Sequence, residues 1–418
     1  MIGNYLFLIA LTSIWVMLLY HMFLTLGGYL YSNKLELSGP DPMPADRTTW
    51  PSVSIMIPAQ NEDIVIRQTL NAMVALDYPK DKLEVIVIND NSSDRTGEIV
   101  DEFAAQYPFI IPLHTFPPEG GKGKSHALNR ALKISKGELI AVYDADNTPE
   151  SAAVKNLVSG LINRPEVAAV VGKFRVINAK KNLLTKFINI ETISFQWMVQ
   201  AGRWFWFKIS TIPGTNFMIR RKVLDEVGGW DVKALAEDTE LSIRVYEAGY
   251  IIRFYPLAIT WEQEPETWKV WFKQRTRWAM GNQYVIFKYM KQFFKLKRKR
   301  ILFDIIYYFF TYFLFLGGVA LSHFLFIAGL MDWLHVSVPG PFLLIWMLAY
   351  VLFIVEIMIT LGIERTEMNS KNFLIVMLMY LSYSQLWLIL VVRAMYMQVK
   401  SIIKKQEVKW DKTQRFQS

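Results

Sequence analysis

Charge-free apolar runs and mixed segments divide the chain before any motif is considered. Tyr5 to Tyr31 holds no Lys, Arg, Asp or Glu and is longer than the roughly 20 residues that cross a bilayer as a helix. Three more apolar stretches follow late in the chain, Ile301 to Leu330, Pro341 to Gly362 and Phe373 to Val399. Between Val53 and about Val176 the pattern changes to short apolar runs alternating with helix-like ones. Val53–Ile57, Leu83–Ile88, Ile110–Leu113 and Leu139–Tyr143 read as strands, and Val65–Ala75, Glu98–Ala105 and Lys124–Ile134 as helices. Such alternation predicts an α/β domain with a largely parallel sheet. Its ligands are expected beyond the carboxyl ends of the strands. The polar cluster Asn89–Asp94 and the acidic Asp144–Asp146 fall there.

Composition narrows the class. The chain has 418 residues, 52% hydrophobic and 20% charged, with a mean hydropathy of +0.21. That balance is too apolar for an ordinary soluble enzyme and too charged for a chain wholly in lipid. The absence of cysteine excludes disulfides, thiolate metal sites and cysteine nucleophiles. The first run lacks a basic flank before it and a small-x-small site after it, so an anchor is expected and not a cleaved leader. Lys295, Lys297, Arg298, Lys299 and Arg300 precede the second span, which puts the large middle segment in the cytoplasm by the positive-inside rule. A conflict remains, because three further crossings would put the tail outside although it holds Lys400, Lys404, Lys405, Lys409, Lys412 and Arg415. Either one stretch lies in the interface or the rule fails. Arg393 in the last run is expected to snorkel.

Several clusters are chemically pointed. Gly121-Lys122-Gly123-Lys124-Ser125 looks like a phosphate loop, but a Walker A glycine would be needed where Pro118 stands. Lys122 and Lys124 are left between a phosphate contact and a solvated turn. Asp144-Ala145-Asp146 closes a buried strand, and residues two apart on a strand share a side. Two converging carboxylates suit Mg²⁺ or Mn²⁺, which complete their shells with phosphate and water. Glu237-Asp238 begins a helix-like run, where acids act as caps or as a general base; spacing does not separate the two. Gln274, Arg277 and Trp278 share a helix face, an arrangement able to hold a diphosphate and stack on a sugar ring. The Trp and Lys residues around them read as an amphipathic helix in the membrane interface. Phe187 to Phe207, with Trp197, Trp204 and Trp206, reads as a second one.

Pro58-Ala59-Gln60-Asn61-Glu62, Asn89–Asp94, Asp144-Ala145-Asp146, Glu237-Asp238 and Gln274-Arg275-Thr276-Arg277-Trp278 occur in this order. The set resembles the processive family 2 glycosyltransferases, the cellulose, hyaluronan and poly-N-acetylglucosamine synthases, over about Val53 to Lys295. The resemblance implies a GT-A fold, a UDP-sugar donor and inversion at the anomeric carbon. By position, Glu62 and Asp90 would contact uridine and Lys124 would lie near the nucleotide. Asp144 would contact the nucleotide and, with Asp146, serve the metal. Asp238, beside Glu237, would be the base. Arg277 would hold the diphosphate and Trp278 the acceptor sugar, with Gln274 in the same motif.

The organisation expected is an anchor at 1–33, a cytoplasmic GT-A domain at 50–266, an interface segment at 267–300, about three spans at 301–400 and a basic tail at 401–418. The poly-N-acetylglucosamine branch is the nearest match, although Ala145 stands where Gly is common and no FxVTxK-like motif is found. The function expected is polymerisation of an exopolysaccharide from UDP-N-acetylglucosamine at a bacterial plasma membrane, of the kind that builds biofilms. The partners expected are the UDP-sugar, the growing glycan, the bilayer and a small membrane subunit or second copy, with no nucleic acid. The alternatives are single-sugar transfer to a lipid carrier and an inactive membrane scaffold.

Overall fold

The computed structural model describes residues 2–291, 294, 296, 299–334, 336–404, 415 and 416. The basic positions Lys295, Lys297, Arg298, Lys405, Lys409 and Lys412 lie outside them. The chain opens with α1 (Ile2–Ser38), then β1 (Val53–Ala59), α2 (Ile66–Val74), β2 (Leu83–Asp90), α3 (Thr96–Gln106), β3 (Ile110–Thr115), α4 (Lys124–Ile134) and β4 (Leu139–Val142). β5 (Thr148–Pro149), α5 (Ala153–Ile162), β6 (Val167–Val176) and α6 (Leu183–Ser194) follow. A π-helical stretch, Phe195–Ala201, leads into α7 (Gly202–Phe207), and β7 (Phe217–Arg220), α8 (Arg221–Glu226), α9 (Glu237–Glu247) and β8 (Ile251–Glu262) complete the sheet. The remainder is helical: α10 (Trp268–Met290), α11 (Lys299–Phe309), α12 (Leu316–Leu330), α13 (Phe342–Ile363), α14 (Ser370–Leu381) and α15 (Leu386–Lys404).

Two compact units result. The sheet unit comprises Lys34–Thr192, Phe207–Trp271 and the described residues of 409–418; the helical unit takes the rest. In the sheet unit the eight strands run in the order β3-β2-β1-β4-β7-β6-β8-β5. β1 is parallel to β2 and β4, and β2 to β3. α4 packs on β1 and β2, and α3 on β2 and β3. Covered strands of this kind read as continuous apolar runs, which is why Leu83–Ile88 is legible as a strand. The sheet is mixed and not largely parallel: β7 lies antiparallel between β4 and β6, and β5 antiparallel to β8. Four residues of β7 are too few for an apolar pattern to reveal their direction.

In the helical unit, close packing follows the small residues. A Cβ on Gly28 would lie 1.9 Å from the Trp197 carbonyl oxygen, and one on Gly202 would lie 2.2 Å from that of Leu24. Small residues that let backbones touch are the usual glue of helices in lipid. Ile14 and Leu18 of α1 pack with Ala349 of α13. Arg203 and Asp304, both buried, form an ion pair, and the Trp197 indole donates to Glu364 Oε1 at 2.9 Å. Residues 196–204 are buried on every side. The expected interfacial helix over Phe187–Phe207 therefore has no wet face along this part. Four segments are long and apolar enough to cross a membrane: Ile2–Ser38, Ile301–Leu330, Phe342–Ile363 and Ser370–Lys400. The last is broken by a tight turn at Tyr383–Gln385.

Candidate active site

The loops after β1 and β2 are built first, and they depend on asparagine. Asn61 and Asn91 adopt φ of 53° and 57°, a left-handed conformation that Asn tolerates better than other side chains. Asn61 Oδ1 accepts from Ser93 N at 2.7 Å, and Asn61 N donates to Ser92 Oγ at 2.9 Å. Glu62 N donates to Thr96 Oγ1 at 2.7 Å. The two loops thus hold each other, and Glu62 is fixed and buried at the sheet edge. Asp90, also buried, accepts on Oδ1 from Thr115 Oγ1 at 2.7 Å and Gly121 N at 2.8 Å. It braces the loop that leads into α4.

Lys124 is the first residue of α4. Its Nζ donates to Asp144 Oδ1 at 2.6 Å and to the Gly214 carbonyl at 2.9 Å, and lies 3.9 Å from Glu237 Oε1. Of the two readings open for Lys124, the solvated turn is thereby excluded. Burial works against its charge, but Asp144 and Glu237 outweigh that and raise its pKa. Gly214, at φ +85°, leaves room for Asp238: a Cβ there would lie 2.9 Å from Asp238 Oδ2. Asp238 Oδ1 accepts from Thr239 N at 2.7 Å. The N-cap of α9 is Ala236, which makes no side-chain cap bond, so neither acid is the cap residue. Burial raises the pKa of both, and with Asp238 beside it Glu237 is pushed up to about 7.

The two carboxylates of Asp144-Ala145-Asp146 are arranged differently from the strand argument. β4 ends at Val142, so both lie in the turn beyond it and the two-residue period does not apply. Thr215 Oγ1 accepts from Asp144 N at 3.0 Å and Thr69 Oγ1 donates to the Ala145 carbonyl at 2.7 Å, which pins the turn. Asp144 faces Lys124. Asp146 instead meets Arg415, whose Nη1 and Nη2 donate to Oδ2 and Oδ1 at 2.7 and 3.0 Å. Arg415 Nε also donates to Glu62 Oε2 at 3.1 Å. Burial raises the pKa of Asp146 and Arg415 opposes the rise. Among the described residues no group of three or more His, Asp or Glu is arranged to enclose a metal.

Six expected residues, Glu62, Lys124, Asp144, Asp146, Glu237 and Asp238, thus form one connected edge. Gln274, Arg277 and Trp278 stand on α10, within the helical unit. There Gln274 Oε1 accepts from Arg275 Nη1 at 2.6 Å. The Arg275 guanidinium lies 3.9 Å from the centroid of the Trp278 ring, while Trp278 keeps an exposed face. Sequence reasoning gives no role to Gly214, Thr215 or Arg275, and Arg415 is visible in the sequence only as one more positive charge of the tail.

Residues 51–281 match the family described as "Glycosyltransferase like family 2". The chain is 61% identical over 414 residues, 99% of its own length and 98% of the other, to the probable glycosyltransferase YdaM of Bacillus subtilis (strain 168). It is 32% identical over 237 residues to the poly-β-1,6-N-acetyl-D-glucosamine synthase of Staphylococcus epidermidis, covering 56% of each chain. Among solved structures, the mannosyltransferase PcManGT from Pyrobaculum calidifontis, in complex with GDP-Man and Mn²⁺, aligns with a TM-score of 0.59 at 22% identity. That alignment covers 91% of this chain and 99% of that one, a likeness of fold. With the family matched over more than half the chain and a relative matched over nearly all of it, this protein belongs to the family 2 glycosyltransferases.

Proposed function

We propose that this chain is an inverting, processive β-glycosyltransferase that polymerises sugar from a UDP-sugar, with UDP-N-acetylglucosamine the favoured donor and an extracellular polysaccharide the product. The reading is carried by the convergence of Lys124, Asp144, Glu237 and Asp238, with Asp146 and Glu62 alongside, at the carboxyl edge of the sheet. The similarity to a poly-β-1,6-N-acetyl-D-glucosamine synthase supports the choice of sugar. The presence of Mn²⁺ in a mannosyltransferase of related fold supports a divalent cation.

Asp146 and Asp144 fit such a cation. They are two carboxylates just beyond a strand end, joined among the described residues by no metal-enclosing group of three or more acids, the donor set of a Mg²⁺ or Mn²⁺ that takes its other ligands from diphosphate and water. When bound it would neutralise charge on the departing diphosphate. Asp238 takes the proton of the attacking sugar hydroxyl. The bond from that oxygen to the anomeric carbon forms as the bond to phosphate breaks, and UDP leaves with the electron pair. One displacement inverts the carbon, so no enzyme nucleophile is required. Lys124 holds Asp144 and Glu237 in place by charge, Glu62 and Asp90 border the uridine, and Arg277 and Trp278 with Gln274 serve diphosphate and acceptor. The catalytic unit faces the cytoplasm, and a small membrane subunit or second copy completes the passage for the glycan.

The test is product formation by the purified protein in lipid with UDP-N-acetylglucosamine, UDP-glucose and UDP-galactose offered separately, with Mg²⁺ or Mn²⁺. The expected result is metal-dependent, high-mass product from UDP-N-acetylglucosamine, lost in Asp238→Asn with UDP binding kept. A product of one sugar on a lipid carrier would overturn processivity, and high-mass product from another donor would reassign the sugar.

A further inference from the structure

Arg415 pairs with Asp146, the carboxylate to which the proposed reaction assigns a cation. Its guanidinium engages both oxygens of Asp146 and one of Glu62, and all three side chains are nearly buried, at 15%, 6% and 7% exposure. A planar guanidinium engages a carboxylate through two parallel bonds, so one acceptor site on each Asp146 oxygen is taken and a fixed positive charge stands against the carboxylate. The next residue is anchored independently. Phe416 N donates to Gln263 Oε1 at 2.9 Å, and Gln263 Nε2 donates to the Phe416 carbonyl at 2.7 Å. Gln263 follows β8 directly, so the anchor is on the rigid sheet.

We propose that Arg415 and Phe416 form a built-in plug that stands in for the divalent cation and must be displaced when metal and nucleotide bind. The proposal rests on the reading of Asp146 as a metal-holding carboxylate. Its logic is competition: a protein whose site is self-occupied most of the time shows an apparent dissociation constant raised by the inverse of the open fraction. A plug closed nine-tenths of the time weakens metal binding about tenfold. Coupling is reciprocal, so metal with nucleotide must release the plug by the same factor. The ligand-free enzyme is thereby kept from holding a stray cation beside an empty donor site.

The test uses the full-length protein in lipid nanodiscs. Mn²⁺ binding is read from the free-ion resonance signal, and exchange of the Phe416 amide by hydrogen–deuterium mass spectrometry. Arg415→Ala is expected to bind Mn²⁺ about tenfold more tightly than the parent chain. Gln263→Ala, which leaves every charge in place, is expected to shift binding in the same direction by less. Mn²⁺ with UDP is expected to speed Phe416 exchange. Unchanged or weaker Mn²⁺ binding in Arg415→Ala, or slower Phe416 exchange with Mn²⁺ and UDP, overturns the plug. Asp146→Asn separates the two ideas: normal Mn²⁺ binding by that variant removes the metal reading of Asp146. Lost binding there, with no gain in Arg415→Ala, removes the plug alone.

Discussion

Two neighbouring acids at the start of α9 are half-buried side by side, and neither ionises as easily as an exposed carboxylate would. Glu237 is pushed up to about 7, by burial first and then by the neighbouring Asp238, and burial also lifts the base Asp238 above the usual carboxylate range. The expected pH profile of kcat/KM, which reports the free enzyme, therefore rises as pH rises, with its acid limb above the usual carboxylate range. Glu237→Gln removes a like charge beside Asp238, lowers its pKa and moves that limb to lower pH; a limb that stays put would refute the assigned coupling. Gly214 gives a second prediction. A Cβ there meets Asp238 Oδ2 at 2.9 Å on a backbone with φ +85°. Gly214→Ala should thus displace the base and lower kcat by about 10²-fold with UDP binding retained. The carboxylates and Lys124 were legible because their residue types follow strand ends in a fixed order. Arg415 was not, because its meaning depends on a contact with Asp146 across 269 positions of sequence, which no local pattern contains.

At the scale of elements, the apolar runs located β1 to β4, the helices between them and the four long apolar segments, with ends shifted by a few residues. What they missed was direction and depth: the antiparallel β7, and the burial of residues 196–204. An aromatic-rich helix reads the same whether its rings meet headgroups or other helices, and the difference lies in the glycines facing it. Gly28 is such a position. Its missing Cβ makes way for the Trp197 carbonyl, and backbone cannot yield as a side-chain end can. Gly28→Ala should destabilise the protein by about 1–3 kcal/mol through overpacking. The same change at Gly317 of α12, with nothing within 4 Å, should be neutral or stabilising by up to about 1 kcal/mol on helix propensity. Thermal unfolding in detergent distinguishes them. Equal effects at the two sites would mean that α1 does not pack closely on Trp197.

For the whole molecule, the direction of the crossings follows from which ends meet. Asn4 at the start of α1 pairs with Ser337 in the loop between α12 and α13, through bonds of 3.1 and 2.9 Å, so these lie on one side of the membrane. That loop joins the segment Ile301–Leu330 to α13, so these two cross in opposite directions and their far ends share the other side with the far end of α1. α14 has 12 residues, about 18 Å of helix against roughly 30 Å of hydrocarbon, so it is too short to cross without α15 beyond the turn at Tyr383–Gln385. α15 packs Val391 and Ala394 against Ala279 and Met280 of α10. The cysteine-free chain makes the test clean. Ile2→Cys and Trp333→Cys, both exposed positions, should be labelled alike by an impermeant maleimide, either both in intact cells or both only after permeabilisation. Labelling of one in intact cells while the other stays protected would mean that Asn4 and Ser337 do not meet in the membrane.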